Sequence, residues 1–142
     1  MLKQISIFVQ NEAGRLAEIT GVLRDNGIDI KALSIADTTD FGILRIIVDK
    51  PEMAENCLKE AGYTVSITKV LAIGISDRPG GLCTVLELLR DHDITVEYMY
   101  AFVGRLDNLA YVIIRVADTE KTVGILKADG VSVLDGSAVD KI

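Results

Sequence analysis

Two stretches of the chain decide its fold: Asn11-Glu12-Ala13-Gly14-Arg15-Leu16 and Asp77-Arg78-Pro79-Gly80-Gly81-Leu82. Aligned on Gly14 and Gly80 they stand 66 positions apart, and the same offset carries Leu23-Arg24-Asp25 onto Leu89-Arg90-Asp91 and Ile28 onto Ile94. Farther along the offset becomes 68: Ile46 meets Ile114, Val48 meets Val116, Leu58-Lys59 meets Leu126-Lys127, and Gly62 meets Gly130. In a chain of 142 residues a repeat of this length means two copies of one unit, so an assignment in one copy constrains the other. The two residues gained by the second copy are expected in the hairpin region, residues 101–108, where a polar connection absorbs an insertion at small entropic cost.

Outward from the two turns, the periodicity sets the elements. Ile5, Ile7 and Val9 alternate with polar neighbours before the first turn, as Leu71, Ile73 and Ile75 alternate before the second, and both read as strands. After each turn, Leu16, Ile19 and Leu23, or Leu82, Val85 and Leu89, recur at helical spacing. Gly27 suits a left-handed helix end, and Asp93 occupies the equivalent place less comfortably. Strands are predicted over 28–36 and 94–102. Polar turns at Thr38-Thr39-Asp40 and Arg105-Leu106-Asp107-Asn108 lead into strands over 43–48 and 110–116. Pro51 opens a second helix that Gly62 closes; its counterpart covers 119–128 and ends at Gly130. Short strands over 63–68 and 131–134 finish the copies.

The order βαββαβ, twice, predicts an α+β protein of two ferredoxin-like units, residues 1–68 and 69–142, each an antiparallel sheet with both helices on one face. The second strand of such a unit is an edge, and two copies satisfy their edges by joining into one eight-stranded sheet.

Composition narrows the function classes. With 49% hydrophobic and 25% charged residues the chain folds rather than remaining disordered. A net charge of -6 and a pI near 4.7 supply no phosphate-neutralising field, which argues against nucleic acid. No apolar run reaches the roughly 20 residues that span a bilayer, and Lys3 leads straight into an alternating strand, so a cytoplasmic protein without a membrane role is expected. Cys57 and Cys83 have no CxxC or histidine partner and are expected to be buried thiols.

Catalysis finds little to work with. His92, the single histidine, falls at a helix end between Asp91 and Asp93 and is read as a solvated end group. Nucleophile-elbow, zincin, P-loop and dinucleotide patterns are missing, and no catalytic residue, metal or cofactor is expected. Tyr63, Tyr98, Tyr100 and Tyr111 are taken as wall and core residues.

The turns carry the chemistry that remains. Amides at the start of a helix are unpaired and electropositive, a seat for a carboxylate. Gly80 and Gly81 let backbone approach a ligand, and Asp77 can accept from an ammonium, so a zwitterion fits both ends. The competing reading has Asp77 and Asn11 organising their own turns, Gly14 and Gly80 serving conformation, and Arg15 and Arg78 as solvated charges.

A strand ending in Asn or Asp, followed by x-Pro-Gly-x-Leu opening a helix, resembles the ACT domain, a regulatory module often fused to enzymes of amino-acid metabolism. Asp77-Arg78-Pro79-Gly80-Gly81-Leu82 matches it closely, Asn11-Glu12-Ala13-Gly14-Arg15-Leu16 more loosely, and Asn26-Gly27-Ile28-Asp29-Ile30 also looks like the family pattern. The resemblance implies an amino acid held where two such domains meet. It sets Asp77, Gly80, Gly81 and Leu82 opposite Asp29 and Ile30, with Arg78 and Pro79 of the same turn also counted as ligand-binding candidates, and Asn11, Gly14, Arg15 and Leu16 opposite Thr95 and Val96. The chain departs from the family pattern where Ala13 replaces proline, and where Asp29 and Thr95 stand at a position that is often Asn.

The resemblance therefore implies a non-catalytic amino-acid sensor, similar to small regulatory subunits such as that of acetolactate synthase, acting in trans on an enzyme and forming a homodimer. The alternative is an assembly module or regulatory subunit that binds no ligand. A ferredoxin-like acylphosphatase is the third reading, and neither turn has the Gly-rich phosphate loop it needs.

Overall fold

Residues 1–37 and 40–142 are described in a computed structural model of the chain. Thr38 and Thr39, part of the predicted first turn, lie outside the described residues. The chain forms two compact units, Lys3–Thr68 (the N-terminal unit) and Lys69–Ile142 with Met1–Leu2 (the C-terminal unit).

The N-terminal unit runs β1 (Leu2–Gln10), α1 (Arg15–Asp25), β2 (Ile30–Asp37), β3 (Phe41–Val48), α2 (Pro51–Glu60) and the first residues of β4 (Val65–Ser76). Strand β3 lies antiparallel between β1 and β2, with Ile46 opposite both Ile5 and Leu33. Strand β4 pairs with β1, and beside that pairing the Phe8 N–H donates to the Thr64 carbonyl at 3.0 Å. The alternation of β1 puts Ile5, Ile7 and Val9 on one face, where they pack with Leu44 and Ile46 beneath Ile19 and Leu23 of α1 and Ala54 and Leu58 of α2. All of these are buried.

The C-terminal unit continues through the rest of β4, α3 (Gly81–Asp91), β5 (Tyr98–Leu106), β6 (Leu109–Arg115), α4 (Thr119–Ala128), β7 (Ser132–Val133) and a 3-10 turn over Gly136–Lys141. Its strands lie in the order β5-β6-β4-β7, each neighbouring pair antiparallel. Leu71, Ile73 and Ile114 meet Val85 and Leu89 of α3 and Leu126 of α4 in a second core. The Asp118 carboxylate caps α4 by accepting from the Lys121 N–H at 3.0 Å. At the ends of α1 and α3 the chain turns through Gly27 (φ 66°) and Asp93 (φ 56°), and the next amide, Ile28 or Ile94, donates back to Leu23 or Leu89 at 2.9 Å. Asp93 thus holds the left-handed conformation at a cost of about 1 kcal/mol that Gly27 avoids.

Several expectations are corrected. Among the described residues there are seven strands rather than eight. The stretches expected as separate strands run on as the single β4, because Val65-Ser66-Ile67-Thr68-Lys69-Val70-Leu71 holds no Gly, Pro, Asn or Asp to break it. Strand β5 begins at Tyr98, four residues later than predicted, once the chain has left the α3 end through Asp93 and Ile94.

The two inserted residues fall within the expected stretch 101–108, but inside β5 rather than in the polar connection. The hairpin between β5 and β6 is a tight two-residue turn, Asp107-Asn108, both at positive φ (54° and 60°) as the right-handed twist of the strands requires. The register passes from Ala101 opposite Val112 to Arg105 opposite Ala110, so residues 102–104 face Tyr111 alone. Three residues against one leave two extra, and the insertion is a bulge inside β5. Phe102, within the bulge, is buried edge-on against Tyr111 with ring centroids 6.4 Å apart, and this apolar contact anchors the bulge.

Candidate functional site

Each copy of the repeat delivers its turn the same way. Strand β1 or β4 ends at Gln10 or Ser76, three residues cross to a glycine, and a helix begins. Gly14 and Gly80 sit at φ 87° and 85°, and neither helix start has a side-chain cap. The first regular helical bonds close on those glycines, Glu18 N–H to Gly14 O and Thr84 N–H to Gly80 O, both 3.0 Å. The first donor of each helix turns back to a turn carbonyl, Arg15 N–H to Glu12 O at 3.3 Å and Gly81 N–H to Arg78 O at 3.1 Å, and the next two donors precede the first regular helical bond at two ends without a side-chain cap. A Cβ at Gly14 or Gly80 meets nothing within 4 Å, so these glycines are required by the backbone angle. Gly81 differs: a Cβ there would fall 2.1 Å from Ser76 O, so its smallness accommodates the end of β4.

Around the first turn the chemistry is acidic and tied down. The Asn11 amide nitrogen donates to the Asp37 carboxylate at 2.7 Å and to Phe41 O at 3.3 Å, and the Asn11 N–H donates to Asp40 O at 3.0 Å. Arg15 is held between Glu12 (3.0 Å) and Glu18 (3.1 Å), and the Tyr63 hydroxyl donates to the same Glu18 oxygen at 3.0 Å. The hydrogen bond to Glu18 and the charge of Glu12 raise the Arg15 pKa further above its ordinary value. Burial, followed by the bond to Glu18, raises that of Tyr63. Leu16 is exposed.

Around the second turn, Asp77, Arg78, Pro79 and Gly80 are exposed, and Leu82 is half-buried against the core of its unit. The Arg78 N–H donates to Ser76 O at 2.8 Å, and Arg78 O accepts from the Gly81 N–H at 3.1 Å. The Asp77 carboxylate stands 2.6 Å from the Arg105 guanidinium, with side chains 45% and 70% exposed. Arg105 was not a site candidate in the sequence, because nothing local links it to Asp77; the ladder does. Ser76 and Leu106 are both opposite Leu109, so β4, β6 and β5 end side by side and a long side chain reaches across.

The remaining candidates are placed as follows. Asp29 is exposed just ahead of β2, paired to Lys31 at 2.9 Å, its N–H donating to the Asp49 carboxylate at 2.9 Å. Ile30 opens β2 and packs on its unit's core. Thr95 is exposed and Val96 packs on the core of its unit, both ahead of β5 rather than within it. Asp29 and Ile30 belong to the N-terminal unit together with the first turn, and Thr95 and Val96 to the C-terminal unit together with the second.

Among the thiols, Cys57 packs against the core of its unit, whereas Cys83 is exposed, contrary to expectation. Position 83 is on the outer flank of α3, two residues before core-facing Val85, and its Sγ–H donates to Glu87 at 3.0 Å. That hydrogen bond and the charge of Glu87 raise the Cys83 pKa. His92 is exposed at the end of α3, Nδ1 3.0 Å from Leu88 O. Among the described residues no helix is long and apolar enough to cross a membrane.

Comparison with known proteins agrees with this architecture. The family described as ACT domain pair matches residues 1–141. Among solved structures, protein BT0572 from Bacteroides thetaiotaomicron is 40% identical, with a TM-score of 0.92 over 99% of this chain and 96% of that one. The ligand-free regulatory subunit of aspartate kinase from Thermus thermophilus matches at 14% identity and a TM-score of 0.63, covering 89% of this chain and 91% of that one. Its counterpart from Thermus flavus matches at 12% and 0.62, covering 89% and 88%. These last two share the fold. No curated protein matches the chain.

Proposed function

The chain belongs to the family of ACT domain pairs, and from that premise we propose that it is a non-catalytic regulatory protein that binds an amino acid at its strand-to-helix turns. One observation supports this most: an uncapped helix start behind a left-handed glycine, with an exposed carboxylate, Asp77, at its mouth. Unpaired amides attract the ligand carboxylate, and Asp77 attracts the ammonium.

Residues 1–68 and 69–142 are taken as the two ACT domains. The proposed ligand contacts are Asp77, Arg78, Pro79, Gly80, Gly81 and Leu82, and in the other turn Asn11, Gly14, Arg15 and Leu16. Family resemblance alone supports adding Asp29 and Ile30 to the first set and Thr95 and Val96 to the second. The same resemblance supports a shared sheet, a homodimer in the cytoplasm, and action in trans on an enzyme of amino-acid metabolism such as acetolactate synthase.

Calorimetry against each of the twenty amino acids tests the reading. At least one is expected to bind below millimolar concentration, and Asp77→Ala combined with Gly80→Val is expected to remove that binding. If none binds, the sensing function is wrong.

A second reading, an assembly module without a ligand, is favoured by Phe8 and Phe41, whose rings lie 4.9 Å apart and are both more than 40% exposed beside Ile43. Sedimentation of Phe8→Ser with Phe41→Ser checks it: a change of mass relative to wild type supports assembly through that face, and an unchanged mass removes it.

A further inference from the structure

The two turns differ most in one pair of positions. In the N-terminal unit Asn11 donates to Asp37; in the C-terminal unit the equivalent positions hold Asp77 and Arg105. The bulge in β5 makes the second pair possible: after the two extra residues Arg105 regains the register, opposite Ala110 as Asp37 is opposite Gly42. The repeat has kept the pair and inverted its polarity.

We propose that Arg105 anchors the carboxylate of a free α-amino acid whose ammonium rests on Asp77. The inference depends on the amino-acid-binding reading above and goes further in naming the group that recognises the carboxylate, and in making the turn of the C-terminal unit the site. An ion pair of this kind is the complement of a zwitterion. A guanidinium has five donors in a fixed fork, so the edge turned away from Asp77 can take a carboxylate in bidentate fashion. A carboxylate accepts several donors at once, so Asp77 can serve the ammonium without releasing Arg105. Both side chains are open to an incoming ligand, at 70% and 45% exposure.

The N-terminal turn has no equivalent. Its arginine, Arg15, is held by Glu12 and Glu18, and the position corresponding to Arg105 is itself a carboxylate, Asp37. A ligand carboxylate arriving there meets like charge. The ligand class that follows is an α-amino acid with both head groups unblocked; its carboxamide and its decarboxylated amine keep the contact to Asp77 and bind more weakly.

The test is calorimetry with the tightest-binding of the twenty amino acids and with its carboxamide, on wild type, Arg105→Ala, Arg105→Lys and Asp77→Asn. Wild type is expected to prefer the acid. Arg105→Ala should lose about 10- to 100-fold in affinity for the acid and little for the carboxamide, the size of a lost charge-assisted hydrogen bond. Arg105→Lys should recover part of the loss, and Asp77→Asn should weaken both ligands. Thermal melts show whether each variant is folded, and Arg105→Gln is the substitute should Arg105→Ala melt early. Unchanged affinity and acid preference in the folded Arg105 variants would overturn the inference while leaving amino-acid binding in place. If wild type binds no amino acid, both fall.

Discussion

The turn after β1 and the turn after β4 have similar backbones and opposite chemistry, the second drawn so tight that it leaves no room for a Cβ at Gly81 where the first carries Arg15. Both cross through a left-handed glycine within 2° of the same φ, both start a helix without a side-chain cap, and both close their first helical bond at 3.0 Å. Yet the first carries the carboxylates of Glu12, Glu18 and Asp37, with its one arginine held between the two glutamates, whereas the second sets Asp77 against Arg105 and leaves Arg78 exposed. Duplication preserved what the fold needs, a way from strand to helix, and released the side chains that do not touch the core. The difference teaches where to look for function: at positions where the copies agree in backbone and disagree in charge.

The sharpest way to break the comparison is at Gly81, whose counterpart is Arg15. A Cβ at Gly81 collides with Ser76 O, so Gly81→Ala is expected to cost about 3 kcal/mol in urea unfolding, while Arg15→Ala loses only exposed ion pairs, about 1 kcal/mol or less. Equal costs would mean that the second turn is no tighter than the first. Next come the shared glycines. Gly14→Ala and Gly80→Ala each force a side chain into left-handed backbone with open space around it, and each should cost about 1 to 2 kcal/mol by the same measurement. Values more than about 1 kcal/mol apart would deny the equivalence of the two backbones.

A smaller effect separates the helices. Cys83 of α3 corresponds to Ala17 of α1, so the thiol reports on one turn alone. Because Glu87 raises the thiol pKa, the thiolate fraction below that pKa is depressed, and Glu87→Gln should increase it. Alkylation of Cys83 by iodoacetamide at pH 8, followed by mass spectrometry, should quicken several-fold in that variant, with Cys57 unchanged; an unchanged rate at Cys83 would remove Glu87 as the cause. The least change is expected from Asp37→Ala, which frees Asn11 from an exposed hydrogen bond and should alter thermal stability by less than about 1 kcal/mol.

Much of this was legible in the residues. Pro51 fixed the start of α2, Gly62 and Gly130 stand just beyond the ends of α2 and α4 as read, and Gly27 has the left-handed angle its place demanded. The βαββαβ order follows from two periodicities and their punctuation. What stayed hidden depended on partners distant in sequence. A change of offset from 66 to 68 says that two residues were gained, but a bulge and a longer turn produce the same offset, and only the burial of Phe102 against Tyr111 selects the bulge. Arg105 was hidden for the same reason: Asp77 finds it across two steps of ladder pairing. The exposure of Cys83 was legible in principle, since Leu82, Val85 and Leu89 already mark the inner face of α3 and put position 83 outside it.

The most direct measurement is an amide-resolved NMR titration of the intact, isotope-labelled protein with the amino acid that calorimetry selects. Binding at the second turn predicts the largest shifts at the amides of Gly80 to Thr84 and at the Arg105 side chain, with Gly14 to Glu18 moving far less. Shifts equal in both turns, or gathered at neither, would contradict the claim that two like backbones were given unlike charge so that one of them could hold a zwitterion.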